Sequence, residues 1–121
     1  MQDPSGNFAS WFGTDLEMSD ATLGNLETAL AENVTFTLNG AAVGTGRAAV
    51  MAAIRGAVAA GWTHHNTLSV SVNGDFMAST YRNDYSDGTS SIGCAIARFN
   101  TEHRAVEIHT MAEQARLLDG R

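Results

Sequence analysis

From Thr63 to Met111 the chain reads as four strands joined by two tight-turn dipeptides, Asn73-Gly74 and Asp87-Gly88. Asn-Gly favours a type I′ hairpin because both central residues tolerate positive φ. Leu68, Val70 and Val72 alternate with Thr67, Ser69, Ser71 and Asn73, the period-two pattern of a half-buried strand. Phe76 to Tyr85, Ser90 to Asn100 and Ala105 to Met111 complete the run, with a polar turn at Thr101 to His103.

The first half is mostly helical. Phe8 to Glu17 has helical spacing and puts Trp11, Phe12 and Asp15 on one side, an acid beside two aromatics. Ser19 or Asp20 can cap a second helix, in which Leu23, Leu26 and Leu30 form an apolar stripe. Val34 to Asn39 alternates and is rich in β-branched residues, so a strand is expected, followed by a small-residue loop from Gly40 to Gly46. Arg47 to Ala60 is a third helix, with Val50, Ile54 and Val58 on one face and Gly61 at its end. Helix, helix, strand, helix and antiparallel meander give an α+β fold: a curved, mostly antiparallel sheet wrapped around three helices, a cone enclosing an apolar pocket.

Ser90 to Phe99 carries Ile92, Cys94 and Ile96 on one face and Gly93, Ala95 and Ala97 on the other. Two non-polar faces imply cover on both sides. Internal helices would cover one. A second copy of the chain, giving a homodimer through the outer sheet face, is the economical cover for the other.

The chain's 121 residues suit one domain, with Met1 to Gly6 as a flexible lead or expression remnant and 113–121 as a weak helix or tail. The N-terminus has no basic segment followed by an apolar core, so no signal peptide is expected. Ala48 to Ala60 is interrupted by Arg55 and Gly56 and is too short to span a bilayer. The net charge is −6 with scattered arginines, so there is no basic stripe for nucleic acid. Cys94 is the only cysteine, which excludes an internal disulfide and fits a reducing, cytoplasmic setting. There is no lysine, which removes Schiff-base chemistry and the phosphate-loop lysine.

Several segments resemble the SnoaL-like, ketosteroid-isomerase-like superfamily, which shares the nuclear transport factor fold. They are LETALAENVTFTLNG (26–40), VGTGRAAVMAAI (43–54), HHNTLSVSVNGDFMA (64–78) and IARFNTEHRAVEIHTM (96–111). The resemblance spans about Phe8 to Met111 and implies the fold, not one chemistry, since the family includes isomerases, cyclases, dehydratases, epoxide hydrolases and binding proteins. A ketosteroid isomerase has a strand aspartate, a helix tyrosine and a second acid. The matching positions here fall near Thr37 or Leu38, Phe12 and Ala95, which counts against steroid-type isomerisation. A limonene-epoxide-hydrolase-like enzyme has an Arg-x-Asp pair after the "GD" turn, and Arg82-Asn83-Asp84 stands there. Its last-strand aspartate falls near Thr110, and its first-strand tyrosine and asparagine near Phe36 and Leu38.

The candidate catalytic residues are therefore Arg82, Asp84, His64 and Asp15. Arg82 and Asp84 share a strand face. Facing inward, the guanidinium would hold the carboxylate ionised as a base; facing outward, the pair is a surface salt bridge. His64 and His65 stand where the fold has its pocket rim, either as an acid or base or as structural histidines. Adjacent strand positions make them poor metal ligands, and neither a metal nor a cofactor is expected. Candidate pocket walls are Trp11, Phe12, Phe36, Met51, Trp62, Met77, Tyr81, Ala95, Ile108 and Thr110, each equally readable as core. The family alignment turns Ile108 and Thr110 inward and His109 outward. His103 is expected in a solvated turn, and Cys94 as a small buried hydrophobe. Three functions follow: a cofactor-free acid–base enzyme acting on an apolar organic molecule, a non-catalytic ligand-binding or dimeric interaction module, or a subunit that only supports a different partner through its outer sheet face.

Overall fold

The computed structural model describes residues 15–112. In chain order the elements are β1 (Asp15–Glu17), α1 (Asp20–Ala29), β2 (Leu30–Leu38), β3 (Ala41–Thr45), α2 (Arg47–Ala59), β4 (Trp62–Asn73), β5 (Phe76–Tyr85), β6 (Ser90–Phe99) and β7 (Ala105–Ala112). The strands form one sheet in the order β1-β4-β5-β6-β7-β2-β3. All neighbours are antiparallel except β2 and β7. The fold is α+β, a curved and unclosed sheet with two helices among the described residues packed on its inner face.

The core explains this packing. Ser19 caps α1 by accepting a hydrogen bond from the backbone N–H of Thr22, satisfying one of the free donors at the helix start. Leu23, Leu26 and Ala29 of α1 are buried, as are Val50, Met51 and Ile54 of α2. They pack with Leu30, Val34, Met77, Ala97, Phe99, Ala105 and Ile108 from the sheet. Gly44 lets α2 sit close on β3, since a Cβ there would come within 3.0 Å of the Val50 backbone nitrogen.

Four expectations are corrected. Asp15–Glu17 is not the end of a helix but a strand, pairing with Asn66, His65 and His64 of β4. The rest of that expected helix, with Trp11 and Phe12, lies outside the described residues, as does the 113–121 tail. The loop expected from Gly40 to Gly46 contains strand β3. It needs hydrogen bonds on one side only, and β2 supplies them. Third, β4 begins at Trp62, one residue before the expected start at Thr63, and bulges at Thr63 and Leu68 hide its period before Thr67.

The fourth concerns the turns. Asn39 and Gly40 both have positive φ (51° and 83°), and Leu38 pairs with Ala41, so the two-residue type I′ hairpin lies there. At the next hairpin Asn73 pairs with Phe76, and the central residues are Gly74 and Asp75. Only Gly74 has positive φ there (64°), the pattern of a type II′ turn. The Asp87-Gly88 turn is as expected. The Asp87 carboxylate accepts hydrogen bonds from the Thr89 backbone and hydroxyl, and Gly88 has φ 86°.

Candidate functional site

The phase of β5 separates the two faces of the sheet. Met77, Ser79 and Tyr81 are buried, whereas Phe76, Ala78, Thr80 and Arg82 are exposed. Cross-strand partners share a face. The inner rows therefore run Val72–Met77–Ala97–Ile108, Val70–Ser79–Ala95–Thr110, Thr67–Tyr81–Gly93–Ala112 and Leu16–His65–Asn83–Ser91. In the first row Met77, Ala97 and Ile108 belong to the apolar core, while Val72 is exposed. The others carry a band of polar side chains, and no residue in these rows carries a carboxylate or a guanidinium.

The bulge at Leu68 makes this band possible. Thr67 pairs with Tyr81 and Val70 with Ser79, so an odd and an even position of β4 face the same way. Without the extra residue Thr67 would point outward with Ser69, whose hydroxyl bonds Thr80 on the outer face (2.7 Å).

His65 is the central group, at only 2% exposure. Burial pulls its pKa down to about 4, against a smaller upward pull from the Asn83 side chain, so the ring is neutral near pH 7. Its Nδ1 donates to Asn83 Oδ1 at 2.7 Å. That bond selects the Nδ1–H tautomer and puts the lone pair on Nε2. The ring packs against Tyr81 (centroids 4.9 Å apart) and meets the Trp62 ring edge-on at 6.0 Å.

Tyr81 lies over Gly93. A Cβ at Gly93 would come within 2.6 Å of the Tyr81 hydroxyl oxygen and 2.7 Å of the Met111 carbonyl, so only glycine admits the ring there. Burial, followed by the Cys94 and Tyr85 charges, pushes the Tyr81 pKa up to about 12. Its hydroxyl thus stays protonated and able to donate. Nearby, Tyr85 and Ser91 share a hydrogen bond of 3.0 Å. Ser79 Oγ and Thr67 Oγ1 are buried and have no hydrogen-bond partner.

Arg82 and Asp84 stand on the outer face, as a salt bridge of 2.9 Å with side chains 45% and 34% exposed. The carboxylate also accepts from Asn66 Nδ2 at 3.0 Å. His64 pairs with Asp84 on the same face and bonds Thr63 through Nδ1 at 3.0 Å. The inward-facing base considered for Arg82 and Asp84 is not the arrangement present: β5 turns both away from the core. Asp15 stands opposite Asn66 in β1, not on a helical wall.

Met51, Met77 and Ile108 belong to the hydrophobic core, and Phe36 and Trp62 pack against it. Tyr81, Ala95 and Thr110 are buried beside the polar band, with the Thr110 hydroxyl donating to the Thr37 carbonyl at 2.9 Å. His109 points outward and shares a hydrogen bond with Thr37 Oγ1 (2.8 Å). His103 sits exposed in a turn with φ 63°. Cys94, expected to be buried, is exposed. It occupies the outer face between Thr80 and Met111, where no described element covers it.

The sequence reading did not select Ser79, Thr67 or Asn83. Ser79 was accessible to it, since Met77 and Tyr81 were already assigned inward and strand alternation places Ser79 between them. Thr67 was hidden by the bulge.

Neither a protein-family model nor a curated protein matches the sequence. Solved structures do match in fold. A candidate isomerase of the SnoaL-like family from Agrobacterium tumefaciens is 20% identical with a TM-score of 0.69, covering 91% of this chain and 94% of that one. An NTF2-like protein of unknown function from Exiguobacterium sp. 255-15 is also 20% identical with a TM-score of 0.69, covering 93% and 100%. A candidate ketosteroid isomerase from Kribbella flavida is 16% identical with a TM-score of 0.72, covering 93% and 78%. The chain has the fold these proteins share, which agrees with the resemblance read from its segments.

Proposed function

We propose that this protein binds a small, largely apolar organic molecule against the inner face of its sheet. The observation that carries this reading is the polar band of buried His65, Tyr81 and Ser79 with half-buried Asn83 and Thr67, beside the small residues Gly93 and Ala95. A purely structural inner face would be apolar, because burying unpaired hydroxyls costs stability. Ligand pockets combine apolar walls with a few convergent polar groups, and this band has that composition. The fold neighbours include candidate isomerases, which is consistent with a small-molecule role.

Binding is favoured over carboxylate-based turnover, because Arg82 and Asp84 face away from the band. A second reading, acid–base catalysis, is favoured by one feature: Asn83 holds His65 in the tautomer whose Nε2 can accept a proton. His65, not His64 or Asp84, would then be the reacting group.

The test is a thermal-shift screen of the purified protein against terpene epoxides, steroids, polyketide-like aromatics and fatty acids. A ligand selective for the folded state raises Tm by mass action. No shift across the panel overturns the binding reading. With a bound ligand in hand, His65→Gln separates the two readings: loss of product formation with retained affinity supports catalysis, and absence of any product from the wild type supports binding alone.

As partner we propose a second copy of the chain on the outer face, where Phe76, Ile92, Ile96 and Met111 are exposed. A cytoplasmic setting is part of the same reading and rests on the single cysteine. Among the described residues no helix is long and apolar enough to cross a membrane.

A further inference from the structure

We infer that Ser79 and Thr67 anchor the oxygen of an uncharged carbonyl ligand, a ketone in particular; this rests on the proposed binding of a small molecule at the inner face. Ser79 is 95% buried by its 5% relative exposure, and its hydroxyl has no hydrogen-bond partner. Thr67 is half-buried, but its Oγ1 atom is itself buried and also has no hydrogen-bond partner. Buried polar groups are satisfied in the great majority of cases, so two orphans on one face require an explanation. The register makes them diagonal neighbours: Thr67 opposes Tyr81, two residues along β5 from Ser79. Diagonal positions on one face lie about 7–8 Å apart at Cα, close enough for two hydroxyls to converge on one oxygen.

Three features restrict the ligand. Both orphans are hydroxyls, so the pair can direct two O–H donors at one acceptor. A carbonyl oxygen with two lone pairs matches that set. The inner rows of the sheet contain no guanidinium to neutralise an anion and no carboxylate to pair with a cation, and His65 is neutral. A charged ligand would pay its desolvation without compensation. Finally, Val70 and Val72 stand in register with Ser79 and Met77 and are 47% and 42% exposed, giving an apolar surface for the body of the molecule next to its polar end.

The experiment uses matched probes on three skeletons: 4-tert-butylcyclohexanone, 2-decalone and 5α-androstan-3-one, each with its parent hydrocarbon and the corresponding carboxylate. Tm shifts and Kd values are measured for the full chain and for Ser79→Ala and Thr67→Val. On at least one skeleton the ketone is expected to bind about tenfold tighter than the hydrocarbon, with the carboxylate weakest. Each variant is expected to weaken ketone binding by about three- to tenfold, leave hydrocarbon binding unchanged and keep the ligand-free Tm at or above that of the wild type. Carboxylate binding equal to that of the ketone overturns the inference. So does ketone affinity that neither variant changes, which would leave the hydroxyls to water; in both cases the binding reading stands. If no probe on any skeleton shifts Tm, the inference and the binding reading fall together.

Discussion

His65 shows how one residue's surroundings set the molecule's response to acid. Its ordinary pKa of 6.5 is lowered to about 4 by burial. Between those values the unfolded chain binds a proton that the folded chain refuses, so stability rises with pH. The contribution is complete above pH 6.5 and is lost as pH falls towards 4. From pH 7 to pH 5 the loss from this group is about 2 kcal/mol. Denaturant titrations at the two pH values measure it, and the difference between wild type and His65→Gln isolates it from the carboxylates. Equal pH dependence in the two proteins would show that His65 is not buried in solution. Ser79 makes the opposite kind of prediction. Removing an orphaned hydroxyl relieves its desolvation penalty, so Ser79→Ala should raise stability by about 1 kcal/mol, read as a Tm higher by a few degrees.

At the scale of elements, Gly93 couples β6 to the site. The Tyr81 ring and the Met111 carbonyl occupy the space a Cβ would take. Gly93→Ala should therefore destabilise by about 1–3 kcal/mol, the usual range for overpacking, and move Tyr81 off the polar band. Adding Tyr81→Phe removes the hydroxyl oxygen but leaves the ring Cζ at 2.8 Å and the Met111 carbonyl at 2.7 Å, so the double variant should recover only part of the lost Tm. Full recovery would mean that the backbone contact at Met111 is not limiting. The sequence disclosed these elements unevenly, for physical reasons. Leu23, Leu26, Val50 and Ile54 repeat at helical spacing, and both helices were legible. Strands β5, β6 and β7 alternate or are bounded by turn residues, and they were legible too. Strand β3 is composed of small residues at the edge of the sheet and carries no alternation, and the Asn39-Gly40 hairpin dipeptide was read as a strand end and the start of a loop. The site was less legible than the fold, because bulges at Thr63 and Leu68 shift which residues of β4 face inward. Alternation read straight through puts Thr67 opposite to Val70, whereas the outward orientation of Arg82 and Asp84 follows from the same β5 alternation that turns Met77 and Tyr81 inward.

The whole molecule presents two unlike faces, and the outer one bears on assembly. Phe76, Ile92, Ile96 and Met111 are between 41% and 62% exposed, and register places them on the outward side of β5, β6 and β7 together with Cys94. Contiguous exposed apolar side chains on a sheet mark an interaction surface. Charged groups flank the patch on both sides: Arg82 with Asp84, and Arg98 with Glu107. The Arg98 hydrogen bond, and then its charge, hold the Glu107 carboxyl below its ordinary range, so that carboxylate remains ionised at neutral pH. A patch with charge of both signs at its rim can meet its own copy about a two-fold axis without placing like charges together, which suits an isologous homodimer. Ile96 faces outward between Ala78 and His109 and contributes nothing to the core, so Ile96→Lys should leave the monomer folded while placing two lysines in the interface. Light scattering is expected to give a dimer mass for the wild type and a monomer mass for the variant, with matching circular dichroism. The wild-type Tm should rise with protein concentration and that of the variant should not, because association stabilises by mass action. A wild type that scatters as a monomer at every concentration would refute the dimer and leave this face to a different partner. The proposed inner site draws its residues from β4, β5 and β6 of one chain. Ligand affinity should therefore survive Ile96→Lys, which makes the two faces separately testable.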